Sequence, residues 1–125
     1  MNPEVPAHKT GTIGELLVKI ILNSLNVNTG NVDKDTGTDI VMFHNNTIRT
    51  AQVKTSLNKW RLGKIRNVHV VFMVRLKWIN EPPALPNYKI KWKLRGHNIW
   101  QNSLDQSSLS DMFDTFTNQS HQGIA

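Results

Sequence analysis

The hydrophobic positions of this chain fall into blocks of different period. In TIGELLVKIILNSLN, Ile13, Leu16, Leu17, Ile20 and Ile21 recur at i, i+3, i+4, i+7 and i+8, the spacing of one helix face. This predicts a helix over about 12–25, with Thr12 as N-cap. The polar stretch NVNTGNVDKDTGTD predicts a short strand near 26–33 and a turn at Asp35–Gly37. DIVMF and TIRTAQVKTS are β-like runs on either side of HNN, where asparagine tolerates left-handed backbone, so 38–56 reads as a hairpin. VHVVFMVRL, residues 68–76, is a continuous β-branched and aromatic run, as expected of a strand buried on both faces. NEPPALPN reads as a loop, because its prolines lack backbone donors. YKIKWKLR alternates strictly, with Tyr88, Ile90, Trp92 and Leu94 on one face and bases on the other. SLDQSSLSDMFDTF predicts a helix over 106–117 with Leu109, Met112, Phe113 and Phe116 as its apolar stripe. LNKWRLGKIR, residues 57–66, reads equally as a basic helix or a loop, with Gly63 against the helix. Residues 1–11 read as an irregular lead-in and 118–125 as a frayed end.

These elements make one α/β domain over 1–125 with a mixed sheet. With no cysteine, disulfides and thiolate metal sites are excluded. No apolar run reaches the roughly 18–20 residues needed to span a bilayer, and the first residues contain no apolar signal core. A cytoplasmic protein without membrane contact is expected. Charge changes the picture more. Twelve of the fifteen Lys and Arg fall within 49–95, where Glu81 is the one acid. A basic segment beside a near-neutral remainder is the expected footprint of a polyanion-binding face. The plain alternative is a solubilising surface.

The hairpin carries the candidate chemistry. Side chains at i and i+2 on a strand share a face, so Gln52 and Lys54 project together. Counting from the turn at 44–46 sets Asp39 opposite residues 51–52. Asp39, Gln52 and Lys54 then converge. A carboxylate, an amide oxygen and a main-chain carbonyl at Val53 are hard oxygen donors of the kind Mg²⁺ (or Mn²⁺) takes. Lys54 is suited to hold a water or stabilise charge on a phosphate. The combination points to metal-dependent phosphodiester hydrolysis.

Together, GELLV (Glu15), GTDIVMF (Asp39) and AQVKT (Gln52, Val53, Lys54) resemble the motif of the PD-(D/E)XK nuclease superfamily. The resemblance covers roughly residues 10–75. It implies a restriction-endonuclease-like core: a helix, a three-stranded β-meander, a second helix at 57–66 and further strands in a mixed central sheet. It also implies a Mg²⁺-dependent endonuclease with Glu15, Asp39, Gln52 and Lys54 as catalytic residues. Gln52 departs from the usual acid and is similar to the Q-x-K form of Mrr-like restriction enzymes and some homing endonucleases. The expected partner is nucleic acid, double-stranded DNA first, with phosphates held by Lys59, Arg61, Lys64 and Arg66. The resemblance also implies a homodimer that cuts both strands, which makes the C-terminal helix or the strand at 88–94 a candidate contact.

Each candidate has a plainer reading. Thr12-x-x-Glu15 matches a capping box. Asp39 could simply close the preceding turn, and Gln52 and Lys54 could be an exposed strand face. Trp60 fits core packing better than base stacking, and Lys89, Lys91, Lys93 and Arg95 suit either a phosphate track or a guarded sheet edge. Beside the nuclease stand two other readings: a binding module that has lost catalysis, and a basic surface that meets an acidic protein.

Overall fold

The computed structural model describes residues 7–32, 38–65, 67–81 and 83–114. Helix α1 spans Ala7–Ser24, followed by β1 Asn28–Asn31, β2 Ile40–His44, β3 Thr47–Leu57, β4 Val70–Lys77 and β5 Asn87–Leu94. A second helix, α2, occupies described residues 106–114. The five strands form one mixed sheet in the order β1-β2-β3-β4-β5. β1, β2 and β3 form an antiparallel meander, β4 runs parallel to β3, and β5 is antiparallel to β4. The chain is therefore α/β. Among the described residues no helix is long and apolar enough to cross a membrane.

α1 begins at Ala7, five residues before the expected start, so part of the expected lead-in is helical and Thr12 lies inside the helix. Its C-terminus is set by Asn26 at φ 66°, with Val27 N–H donating to the Leu22 carbonyl at 3.0 Å and Asn26 N–H to that of Asn23 at 3.1 Å. This is a Schellman cap, and its usual apolar pair is present: Leu22 and Val27 are both fully buried. The β2–β3 turn follows expectation. Asn45 and Asn46 sit at φ 49° and 63°, the two-residue turn whose twist matches that of the flanking strands. α2 starts at Asp105, whose Oδ1 accepts from Ser107 N–H at 3.1 Å while Ser108 Oγ accepts from Asp105 N–H at 3.0 Å. The hydroxyl of Ser107 is the first cause holding the Asp105 carboxyl below its ordinary value.

Both helices cover the same sheet face. Ile40, Met42, Ala51, Val53, Val70, Phe72, Val74, Leu76, Trp92 and Leu94 line that face and join Val18, Leu22, Leu109, Met112 and Phe113 in the core. The α1 stripe is rotated from the expected one. Val18 and Leu22 are buried, whereas Leu16 and Ile20 are 51% and 64% exposed. The rotation follows from Gly14: a β-carbon there would lie 1.8 Å from Thr55 Oγ1, so the helix presses its bare backbone onto β3. Glycine adds nothing to a hydrophobic periodicity, yet it centres this contact.

The opposite sheet face is covered by irregular chain. The helix expected at 57–66 is absent: Leu57 still belongs to β3, and residues 58–65 are non-helical. Asn58 and Gly63 both have φ of 65°, a left-handed backbone that interrupts a right-handed helix. Ser56 Oγ donates to the Lys59 carbonyl at 2.5 Å, and Asn58 N–H to the Leu76 carbonyl at 2.9 Å, folding the crossover back over the sheet. Trp100 lies over another part of this face, against Lys91 and Lys93, and Gln101 exchanges two hydrogen bonds with Trp92 along the edge of β5. Cover on both faces explains why β4 reads as an unbroken apolar run.

Candidate active site and basic sheet face

Asp39 stands just ahead of β2. Its N–H donates to the Ala51 carbonyl at 2.9 Å, and its Oδ2 accepts from the Val53 N–H at 2.8 Å. The β2–β3 register, continued by one residue, sets Asp39 opposite Gln52, as the hairpin count predicts. The carboxylate thus takes the place of a ladder carbonyl where β2 ends. In a strand, the N–H and C=O of one residue point to the same neighbour, so the Val53 carbonyl is also directed towards the Asp39 side. A carboxylate and a main-chain carbonyl are brought to one strand end by backbone geometry alone.

Glu15 lies on α1 above the same strand end. Thr12, Glu15, Leu16, Lys19, Asn31 and Asp39 line a cleft of about 360 Å³. Lys19 donates a hydrogen bond to Asn31 Oδ1 across its rim. Two carboxylates therefore share one open cavity, the half-buried Glu15 and Asp39. Gln52 and Lys54 are not among its described lining residues. They lie on the sheet face away from the helices, Gln52 buried at 5% exposure and Lys54 half-buried. Lys54 is overlain by the crossover, since a β-carbon on Gly63 would sit 3.9 Å from its Nζ. Asp39 links the two halves: it lines the cleft, and its register position falls in the Gln52 row. Among the described residues no three His, Cys, Asp or Glu side chains come together.

The face carrying Gln52 and Lys54 continues across the sheet as rows of basic residues. Gln52 aligns with Val71 and Lys93, Lys54 with Met73 and Lys91, and Ser56 with Arg75 and Lys89. Strands lie about 4.8 Å apart, so Lys91 stands about 10 Å from Lys54 at the backbone. Two half-exposed indoles lie over these cations. Lys91 Nζ is 4.2 Å from the Trp60 ring centroid and 5.6 Å from that of Trp100. Arg75 also contacts Trp60, at 5.2 Å, and Lys93 contacts Trp100, at 5.1 Å. Trp60 is therefore outside the core, against the packing role that sequence favoured. Lys59, Arg61 and Lys64 are exposed on the crossover; Arg66 lies outside the described residues.

Some expected surface is interior. Arg49, one of the bases of the central segment, is 5% exposed on the helix side. Its Nε donates to the Met112 carbonyl at 3.2 Å and its Nη2 to that of Phe113 at 2.5 Å. Burial is the main cause lowering its pKa, partly opposed by Asp114. The α2 stripe of Leu109, Met112 and Phe113 is likewise buried against the chain's own sheet. His69 continues the β3–β4 ladder, its Nδ1 accepting from Thr50 N–H at 3.0 Å. Burial, then Arg49 and Arg95, hold its pKa below the ordinary value. Trp100 and Arg75 went unnoticed in the sequence because their partners are on other strands; the alternation in β5 was the one local signal. No family model, no curated protein and no solved structure matches this chain at a significant level.

Proposed function

We propose that this chain is a Mg²⁺-dependent endonuclease that hydrolyses phosphodiester bonds in DNA. The observation that carries the reading is the Asp39 arrangement: a carboxylate pinned to the Val53 N–H, opposite Gln52 in register, in a cleft shared with Glu15. The donor chemistry fits the ion. Asp39, the Val53 carbonyl and the amide oxygen of Gln52 are all hard oxygen ligands, and Mg²⁺ needs only one or two carboxylates because it retains waters. When bound, such an ion polarises a phosphoryl oxygen and acidifies a water. The chain's own groups do the rest. The Val53 N–H holds Asp39 in one orientation, Glu15 accepts a proton at the cleft, and Lys54 offers a positive head on the adjoining sheet face. The exposed Lys59, Arg61 and Lys64 attract the phosphate backbone.

The fold supports a restriction-endonuclease-like core. α1 precedes the β1–β2–β3 meander, and β4 lies parallel to β3. The irregular crossover stands where that core has its second helix.

The test is incubation with plasmid, single-stranded DNA and RNA, with and without Mg²⁺ or Mn²⁺. Asp39→Asn is the informative variant, because the amide oxygen still accepts from Val53 N–H while the charge is gone. Cleavage should fall at least about 100-fold in Asp39→Asn with little change in Tm. Cutting that survives both EDTA and Asp39→Asn refutes the mechanism. A second reading, DNA binding without cleavage, is favoured by the neutral, buried Gln52. It predicts salt-sensitive binding and no nicking by clean protein.

A further inference from the structure

The two tryptophans of the basic face differ from the other two. Trp78 and Trp92 are 7% and 2% exposed, and their indole N–H groups donate to the carbonyls of Ala84 and Ser103. Trp60 and Trp100 are half-exposed, lie outside the core, and have no indole hydrogen bond among the described residues. Each instead rests on sheet cations. An indole used only as cover would be enclosed, as Trp92 is. An aromatic ring resting on cations at a partly open surface is an arrangement that stacks bases.

Exposed basic side chains lie beside Trp60. Trp60 is flanked in the chain by the exposed Lys59 and Arg61. Alternate β5 lysines stand about 6.8 Å apart at 3.4 Å per residue. A positively charged track with interleaved aromatics is the recognition mode of unpaired nucleic acid, since a duplex keeps its base faces stacked internally. The same rows reach Lys54 about 10 Å away. We infer that this face is a docking surface for single-stranded DNA, with Trp60 and Trp100 each stacking a base and leading an unpaired strand towards Lys54. The inference rests on the nuclease reading for its purpose, though not for its test.

The experiment is binding of labelled dT15 to the full chain in EDTA at low salt, against a 15-base-pair duplex. Trp60→Ala and Trp100→Ala should each weaken dT15 binding about 5- to 150-fold, the range of one stacked base, and leave duplex binding within about twofold. Lys91→Gln should weaken both and lower the salt slope by about one. Tryptophan emission of the unaltered protein should quench on adding dT15, and less so in Trp60→Phe and Trp100→Phe. Failure of dT15 to bind, binding without quenching, or unchanged dT15 affinity in the folded tryptophan variants overturns the inference. An rU15 strand winning tenfold over dT15 also overturns it. Because the assay contains no metal, dT15 binding without any cleavage under Mg²⁺ would sink the nuclease reading alone.

Discussion

Replacing Gly14 by alanine tests how α1 is seated and therefore how Glu15 is positioned. The new β-carbon would lie 1.8 Å from Thr55 Oγ1 and 2.8 Å from its Cβ and Cγ2. A turn of Thr55 about χ1 removes the first overlap but not that with Cβ, which is fixed by the strand. Carbon atoms pack at about 3.5 Å or more, so helix and strand must part by about 0.7 Å. Overpacking of this kind costs about 1–3 kcal/mol, and the higher helix propensity of alanine returns up to about 1. The net expectation is a loss of about 1–2 kcal/mol, or a Tm lower by about 3–10 °C. Thr55→Gly deletes the three nearest atoms, including a hydroxyl that is buried without a hydrogen-bond partner among the described residues. A urea double-mutant cycle should therefore show Gly14→Ala and Thr55→Gly compensating by at least about 1 kcal/mol. Gly14→Ala within about 0.5 kcal/mol of the parent, or strictly additive losses, would refute this seating of α1.

Three further outcomes are expected. Arg49→Leu leaves the Met112 and Phe113 carbonyls without their guanidinium and should cost about 3 kcal/mol in urea; Arg49→Lys, lacking the fork, should recover less than half. His69 has a folded pKa below 6.5, so the unfolded chain binds the extra proton; stability present above pH 6.5 should be lost on acidification below it, and His69→Gln should flatten that dependence in pH-resolved melts. Asn46→Ala forces an alanine to φ 63° and should cost about 1 kcal/mol, while Asn46→Gly should be neutral or slightly stabilising by the same melt.

The parts of the fold legible in the sequence are those whose cause is local. The β2–β3 hairpin could be read because Asn45-Asn46 supplies its own turn geometry and strand parity fixes everything on either side, including Asp39 opposite Gln52. β4 and β5 could be read because burial on two faces and on one face leave different patterns. What was misread has its cause in a distant residue. Gly14 defines the buried face of α1 only because Thr55 lies beneath it, so the apolar stripe counted from sequence came out rotated. Arg49 counted as surface charge, although the carbonyls that hold it lie 63 and 64 residues further on. The crossover lost its expected helix to two left-handed residues, one of them an asparagine that pattern counting treats as ordinary. That loss bears on function. A regular helix over β3 and β4 would cover this face with its own side chains, whereas an extended segment lets Trp60 rest on Lys91 and keeps Lys59 and Arg61 at the surface. The segment that departs most from the expected core is thus the one that supplies the aromatic and basic groups beside Lys54.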